Sequence, residues 1–155
     1  MSRKTGAVRR TETRSPSAAP APMPVLVVDD SFLMRRVLRG IIESDPAFRV
    51  AGEAADGQEA LARVAELQPE LILLDIEMPR MDGIEFLRRA RQLTAARIVV
   101  ISSIAQPGTA QALMALDLGA HDIMPKPSGV LSTDMAASRS GELLATLRAV
   151  GGLSP

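Results

Sequence analysis

The stretch LILLDIEMPRMDG, residues 71–83, places an unbroken apolar run directly before a carboxylate, Asp75. Such a run predicts a strand that is buried on both faces of a parallel sheet. The Met-Pro and Asp-Gly pairs that follow indicate a turn and then the start of a helix. Because burying an unpaired carboxylate is costly, Asp75 needs a cation or hydrogen-bond donors at the point where the strand ends.

On either side of this stretch the chain alternates between short apolar runs and amphipathic segments. The predicted strands are residues 25–30, 48–54, the apolar start of 71–83, 96–103 and 121–127, with 48–54 at an edge. The predicted helices are one from about Leu33 to Ile42, 56–67, 82–93, one through Leu113 and Met114 that ends at Gly119, and 140–150. Five β-then-α units predict an α/β fold, a doubly wound five-stranded parallel sheet with helices on both faces.

Two of these helices begin with the same local pattern. Asp56 is followed three residues later by Glu59, and Asp82 by Glu85, as in a capping box. In the first helix the apolar positions are spaced as one face, formed by Leu33, Val37 and Ile41 with Met34, Leu38 and Ile42 beside them. Its other side carries Arg35, Arg36, Arg39 and Glu43.

Polar residues occupy the predicted carboxyl ends of four strands. Asp29 and Asp30 follow the first strand, Asp75 the third, Ser102 and Ser103 the fourth, and Lys126 the fifth. In doubly wound sheets, ligands bind outside these strand ends. Several carboxylates together repel one another unless a cation shares the space, and Mg²⁺ prefers hard oxygen ligands. The pattern therefore predicts a magnesium site that receives a phosphoryl group, for which a carboxylate can be the nucleophile.

The one lysine at this predicted site stands out in the composition. Beyond residue 24 the chain has twelve arginines and a single lysine, Lys126. A compact ammonium group fits where a broad guanidinium group does not, so we interpret Lys126 as a functional residue.

Composition narrows the classes of protein that remain. The 155 residues carry 18 basic and 18 acidic side chains and no cysteine, which excludes disulfides and thiolate metal sites and fits a cytoplasmic location. Residues 1–23 are rich in Arg, Pro and Ala, contain no apolar run long enough for a signal peptide or membrane span, and are predicted to be a disordered arm. The remainder is mildly acidic, which argues against a nucleic-acid surface.

Four motifs in this order resemble the receiver domain of two-component response regulators. They are VLVVDDS (25–31), LDIEMPRMDG (74–83), VVISS (99–103) and MPKPSG (124–129). The resemblance covers about residues 24–150, implies a CheY-like (flavodoxin-like) sheet with strand order 2-1-3-4-5, and leaves residues 151–155 as a flexible tail. MPKPSG, with DDSFLMRR (29–36), is closest to the receiver of chemotaxis methylesterases.

The resemblance implies a phosphoacceptor switch that catalyses only its own phosphorylation and dephosphorylation. Asp75 would take a phosphoryl group from the phosphohistidine of a CheA-like sensor histidine kinase. Mg²⁺ would be bound by Asp30, by Asp75 and by the backbone carbonyl of Glu77, with Asp29 acting through water.

Further roles follow from the last two motifs. Ser102, with Ser103 beside it, and Lys126 would bind phosphoryl oxygens, and the Lys126–Pro127 bond would be cis. Ile123 occupies the position of the usual switch aromatic, so the aromatic half of the switch is missing. An output protein would dock on the face formed by helix 4, strand 5 and helix 5, and the sequence leaves homodimer formation open.

Other readings remain. The sequence shows no nucleophile elbow, and its one histidine, His121, is expected at a strand edge, so we find no esterase site in it. The chain is therefore either a stand-alone receiver or a regulatory fragment of a longer methylesterase. An aspartate-dependent phosphatase would carry its nucleophile after the first strand, whereas Asp75 follows the third. It would also have a second Asp two residues after the nucleophile, where this sequence has Glu77. A flavin or nucleotide module would have a Gly- or Ser/Thr-rich loop after strand one, where DDSFLM is acidic instead.

Overall fold

The computed structural model describes residues 20–102, 109–127 and 133–154. Five parallel strands form one sheet in the order β2-β1-β3-β4-β5, as predicted. The strands are β1 (Met23–Val28), β2 (Phe48–Ala54), β3 (Leu71–Asp75), β4 (Arg97–Ser102) and β5 (Asp122–Pro125). The helices are α1 (Phe32–Glu43), α2 (Gly57–Leu67), α3 (Gly83–Ala90), α4 (Ala110–Asp117) and α5 (Thr133–Val150).

The core lies on both faces of the sheet because alternate strand residues point to opposite sides. On one face, residues such as Leu26, Ile72 and Val100 pack against α2, α3 and α4. On the other face, Val27 and Leu73 pack with their neighbours against α1 and α5. All five residues of β3 are buried, which confirms that the opening apolar run is the central strand.

Asp56 and Asp82 both cap their helices as predicted, although the Glu59 side chain accepts from the Ala55 amide rather than from that of the N-cap residue. Asp56 accepts a hydrogen bond from the Glu59 amide at 2.9 Å, and Asp82 accepts one from the Glu85 amide at 3.0 Å. Each carboxylate satisfies an amide that has no partner within the helix. The helix before Gly119 also ends as predicted, since Gly119 has φ +111° and Ala120 N–H donates to the carbonyl of Ala115.

The prediction for the apolar face of α1 is wrong in part. Leu38 and Ile42 are fully buried, but Leu33 is 71% exposed and Val37 is 40% exposed. The helix is rotated so that its buried line faces the sheet one position further along the chain. The guanidinium of Arg35, expected on the solvent side, lies against β2 and pairs with Glu53 at 2.9 Å.

Some boundaries differ from those expected. β1 ends at Val28, so Asp29 and Asp30 both lie in the loop after it, and α5 begins at Thr133 rather than at residue 140. Residues after α5, expected to be a flexible tail, bond back to that helix through Gly151 N–H to Leu147 and Leu153 N–H to Arg148. Most of the N-terminal arm, residues 1–19, lies outside the described residues. No helix in the described part of the chain combines the length and the apolar character of a membrane span.

Candidate metal centre

Strand register brings the predicted site residues to one edge of the sheet. Asp75, the last residue of β3, lies opposite Ile101 of β4, and Ser102, the last residue of β4, lies opposite Pro125 of β5. The loop after β1 brings Asp29 and Asp30 to the same edge, and Lys126 follows β5 directly. The strand ends are therefore aligned, as a parallel sheet requires.

Three carboxylates converge at this edge. Asp29, Asp30 and Asp75 each offer an oxygen, and these oxygens all lie within 4.8 Å of one another. Asp29 and Asp75 are buried, whereas Asp30 is exposed, so the cluster reaches solvent at Asp30. The convergence that the sequence predicted for these three residues is present.

Lys126 supplies a cation to this cluster. Its Nζ lies 2.9 Å from Asp29 Oδ2 and 3.3 Å from Asp75 Oδ2, and its side chain is 15% exposed. Neither buried Oδ2 accepts a hydrogen bond of good geometry, so the contact with the ammonium group is an ion pair. Burial lowers the pKa of Lys126, but the two carboxylates outweigh it and raise that pKa overall.

Asp75 is the carboxylate whose titration is most altered. Burial raises its pKa, and the neighbouring charge of Asp29 raises it further, to about 6, against the opposing effect of Lys126. One ammonium group therefore does not neutralise the negative charge that this pocket concentrates.

The donor set fits a hard divalent cation. Mg²⁺ binds oxygen ligands, often one or two carboxylates, and keeps several waters. Asp29, Asp30 and Asp75 provide such oxygens around one point, and two of these oxygens are buried without a good hydrogen-bond donor. A divalent ion would offset the charge excess that raises the pKa of Asp75.

Backbone amides fix the orientation of both buried carboxylates. Ser31 N–H donates to Asp29 Oδ1 at 2.9 Å, and Glu77 N–H donates to Asp75 Oδ1 at 3.2 Å. In each case the donor lies two residues after the carboxylate, so the local turn holds the acid. The second oxygen of each acid is left facing the cluster and Lys126.

Arg35 is a supporting residue that the sequence analysis did not identify. Its Nη1 donates to the backbone carbonyl of Asp29 at 2.7 Å, while its Nε contacts Glu53 of β2 at 2.9 Å. Arg39 contacts the other Glu53 oxygen at 2.9 Å. Arg35 and Glu53 are 18 residues apart in the sequence, and no sequence pattern indicates such a contact.

One remaining prediction concerns the peptide bond that follows Lys126. The expected cis bond between Lys126 and Pro127 is wrong, because no peptide bond in the described residues is cis. The trans form is the more stable one by about 0.5–1 kcal/mol. Lys126 reaches both carboxylates with a trans bond after it, anchored by its N–H to the Ser102 carbonyl at 3.2 Å.

The other predicted residues are placed as follows. Ser102 is fully buried at the end of β4, and Ile123 is half-buried and packs against the core on the α4 side of the sheet. Ser103 lies outside the described residues. His121 is exposed beside β5, and its Nδ1 accepts a hydrogen bond from Ile98 N–H at 3.1 Å, which confirms it as a strand-edge residue.

Comparison with known families agrees with this fold and acidic cluster. The family model of the response regulator receiver domain matches residues 25–133. The chain therefore belongs to the family of response regulator receiver domains, which are signalling domains.

Relatives that this chain matches include protein-glutamate methylesterases. The protein-glutamate methylesterase/protein-glutamine glutaminase of Symbiobacterium thermophilum is 45% identical over 134 residues, 86% of this chain and 37% of the relative. That of Pyrococcus abyssi is 43% identical over 124 residues, 80% of this chain and 33% of the relative. The chain thus spans about a third of the length of these relatives.

Solved structures give the same result. The response regulator domain of Thermotoga maritima CheB is 40% identical, with a TM-score of 0.77 and coverage of 86% of this chain and 99% of that one. CheY6 from R. sphaeroides, in the structure with the P1 domain of CheA3, gives 43% identity, a TM-score of 0.71 and coverage of 84% and 98%. The predicted affinity to methylesterase receivers is confirmed.

Proposed function

We propose that the chain is the phosphoacceptor of a chemotaxis-type two-component system and that Asp75 accepts the phosphoryl group with Mg²⁺ bound. The observation that carries this proposal is the convergence of Asp29, Asp30 and Asp75 within 4.8 Å, with Lys126 at 2.9 and 3.3 Å from two of them. A structural ion pair would need one carboxylate for one lysine. Three carboxylates and an ammonium group provide for both a cation and an anion.

The reaction is an in-line phosphoryl transfer. A carboxylate oxygen of Asp75 attacks the phosphorus of a phosphohistidine, an O–P bond forms, and the P–N bond breaks with its electron pair leaving on the imidazole, which a proton then neutralises. The products are an acyl phosphate and histidine. The pKa of Asp75 in the fold lies above its ordinary value, but only at about 6. The nucleophile is therefore ionised at neutral pH.

Residues around Asp75 have separate tasks in this reaction. Lys126 holds the carboxylate before transfer and would pair with a phosphoryl oxygen afterwards. Glu77 N–H donates to Asp75 Oδ1 and so restrains the orientation of this carboxylate. Bound Mg²⁺ supplies positive charge to the equatorial oxygens as negative charge spreads over them, and Asp30, Asp75 and the Glu77 carbonyl are the residues that would hold it. Asp29 would act through water, and Ser102 would donate to a phosphoryl oxygen.

The donor in this proposal is a CheA-like kinase. Support comes from the related receiver CheY6, whose structure was solved in complex with the P1 domain of CheA3. A second surface would serve output: α4 exposes Leu113, Met114 and Leu116 by 54%, 43% and 46%. Side chains of that size at the surface favour a protein contact on the α4–β5–α5 face.

A second candidate function is favoured by the coverage of the relatives. The curated methylesterases continue well beyond the region that this chain matches. The receiver would then regulate an esterase domain in the same protein, with the same phosphorylation chemistry at Asp75.

The test is phosphorylation by a small donor. Incubation with Mg²⁺ and acetyl phosphate should add one phosphoryl group, seen by intact-mass spectrometry and lost on treatment with alkali or hydroxylamine. Asp75→Asn should abolish the label, and removal of Mg²⁺ with EDTA should do the same.

Asp117→Asn is the matched control, because it makes the same change at an exposed acid on α4 and should label normally. Undiminished labelling of Asp75→Asn would reject the assignment. Turnover of a generic phosphate ester would instead favour a phosphatase.

A further inference from the structure

The loop that follows the phosphoacceptor carries an ion pair that no part of the reaction above uses. Arg80, in the loop between β3 and α3, donates from Nε and Nη2 to Asp56 Oδ2 at 2.8 and 2.5 Å. Asp56 is the N-cap residue of α2, and its side chain is 6% exposed, whereas that of Arg80 is 64% exposed. The pair joins two elements that are 24 residues apart in the chain.

The backbone conformation of Arg80 is unusual and favours a specific role for this contact. Arg80 has φ +62°, in the left-handed region that favours glycine. In the described residues the other non-glycine with positive φ is Gln68, which caps a helix. A strained conformation persists where surrounding contacts determine it, and the hydrogen bonds of Arg80 to the Asp56 carboxylate are among the contacts of this loop.

The rest of the loop is fixed at its two ends. Gly83 N–H donates to the Ile76 carbonyl at 2.8 Å, and Met81 is buried while its carbonyl accepts from Gly57 N–H at 2.8 Å. Between these points lie Glu77 and the exposed centre of the loop, to which the Arg80–Asp56 pair adds a side-chain contact with α2 beside the backbone bond of Met81 to Gly57.

From this geometry we propose that Arg80 and Asp56 form a latch that positions the β3–α3 loop, and with it the Glu77 backbone, for metal binding. The inference rests on the proposed function. Arg80 is a positioning residue, since its guanidinium contacts Asp56 and acts on the metal ligands only through the loop. Loss of the latch lets the Glu77 carbonyl move, so the site holds Mg²⁺ less firmly.

Electrostatics alone predicts the opposite change in Mg²⁺ affinity when Arg80 is substituted. Removing the positive charge of Arg80 near a divalent cation should tighten Mg²⁺ binding, whereas loss of the latch should weaken it. Asp56→Asn breaks the ion pair but keeps a side-chain oxygen that can cap α2. Arg80→Gly removes the side chain and also relieves the positive-φ strain, which separates the latch from fold stability.

The experiment is a Mg²⁺ titration of the full chain, followed by amide NMR shifts because the chain has no Trp or Tyr. The dissociation constant should rise by about threefold to tenfold in Arg80→Ala, Arg80→Gly and Asp56→Asn. The double variant Arg80→Ala/Asp56→Asn should be no weaker than the weaker single variant, because both changes break one contact. Arg88→Ala, which breaks a surface pair with Glu85, should bind like the wild type.

Labelling by acetyl phosphate adds a second readout. The Mg²⁺ concentration that half-saturates the labelling rate should rise in the latch variants, while the rate at saturating Mg²⁺ stays within about twofold of the wild type. The unfolding midpoint of Arg80→Gly should not fall.

The outcomes separate the two proposals. If the wild type binds Mg²⁺ and is labelled, but Arg80→Ala binds Mg²⁺ as tightly as the wild type or more tightly, the latch is overturned and the proposed function stands. If the wild type neither binds Mg²⁺ nor takes the label, the proposed function fails, and the latch fails with it.

Discussion

At the scale of single residues, Asp75 is held in a state that folding alone does not favour. Its side chain is 1% exposed, and burial together with the charge of Asp29 raises its pKa to about 6. The ionised form needed for attack on phosphorus is thus the form that the metal-free fold tolerates least. A reactive carboxylate and a maximally stable fold are in conflict at this position.

Replacing Asp75 with Asn should stabilise the metal-free protein. The folded pKa of Asp75 lies above its ordinary value of 3.8, so the folded state binds the proton more tightly and stability falls as the pH rises from about 4 to above 6. In EDTA at pH 7, Asp75→Asn should raise the free energy of unfolding by about 1–3 kcal/mol. Urea unfolding measures this difference.

The same comparison at low pH is the internal control. Well below pH 3.8, the ordinary pKa of this carboxyl, the wild-type group is protonated in both states, so the two proteins should differ little. A wild-type protein that is more stable than Asp75→Asn at pH 7 in EDTA would contradict the pKa assignment.

At the scale of elements, the first residue of α3 packs directly against the backbone at the end of β3, the acceptor strand that carries Asp75. A Cβ on Gly83 would lie 2.5 Å from the Asp75 carbonyl oxygen and 2.7 Å from Ile76 Cα, both backbone atoms that cannot rotate away. The absence of a side chain at Gly83 lets α3 begin this close to the acceptor strand.

Gly83→Ala should therefore destabilise the fold, although alanine is the better helix former. We expect a loss of about 2 kcal/mol or more in the free energy of unfolding, because the backbone of β3 or α3 must shift. Phosphorylation of Asp75 by acetyl phosphate should also slow. Denaturant unfolding and labelling kinetics measure the two effects.

Gly40→Ala is the matched control within α1. A Cβ there meets nothing within 4 Å, so helix propensity alone applies and the variant should gain about 0.5–1 kcal/mol. Equal effects of the two substitutions would contradict the packing argument.

At the scale of the whole molecule, one ion pair joins the last helix to the first half of the chain. Arg148 of α5 donates from Nε and Nη2 to both oxygens of Asp45, at 2.7 and 2.8 Å, across 103 residues of sequence. Asp45 lies in the loop between α1 and β2, and its Oδ1 also accepts the Ala47 amide at 3.0 Å. Hydrogen bonding to Arg148 is the main cause that lowers the pKa of Asp45, against the effect of burial.

Arg148→Ala should lower the urea midpoint at neutral pH, because Asp45 is left buried without its cation. The folded pKa of Asp45 is depressed, so the contribution is present above 3.8 and is lost as the pH falls through the lower folded value. The wild-type and variant midpoints should therefore converge in acid. Arg63→Ala, which breaks a surface pair with Glu66, should have little effect at any pH. A difference that persists unchanged in acid would assign the loss to packing instead.

The amino-acid sequence alone predicts the β–α alternation, the buried central strand, the helix caps at Asp56 and Asp82, and the carboxylates at the strand ends. These features are local: periodicity, capping and strand polarity depend on neighbours within a few residues. The family resemblance then assigned roles to those carboxylates and to Lys126.

The residues that support the site could be identified only from the three-dimensional packing. The rotation and docking of helices against the sheet decide which partners the arginines reach. They set the contacts of Arg35 with Glu53 and the Asp29 carbonyl, the contact of Arg80 with Asp56, and the exposure of Leu33. An arginine on a helix or loop has the same local signature whether it faces solvent or a carboxylate far along the chain. The difference lies in long-range packing, which no local pattern encodes.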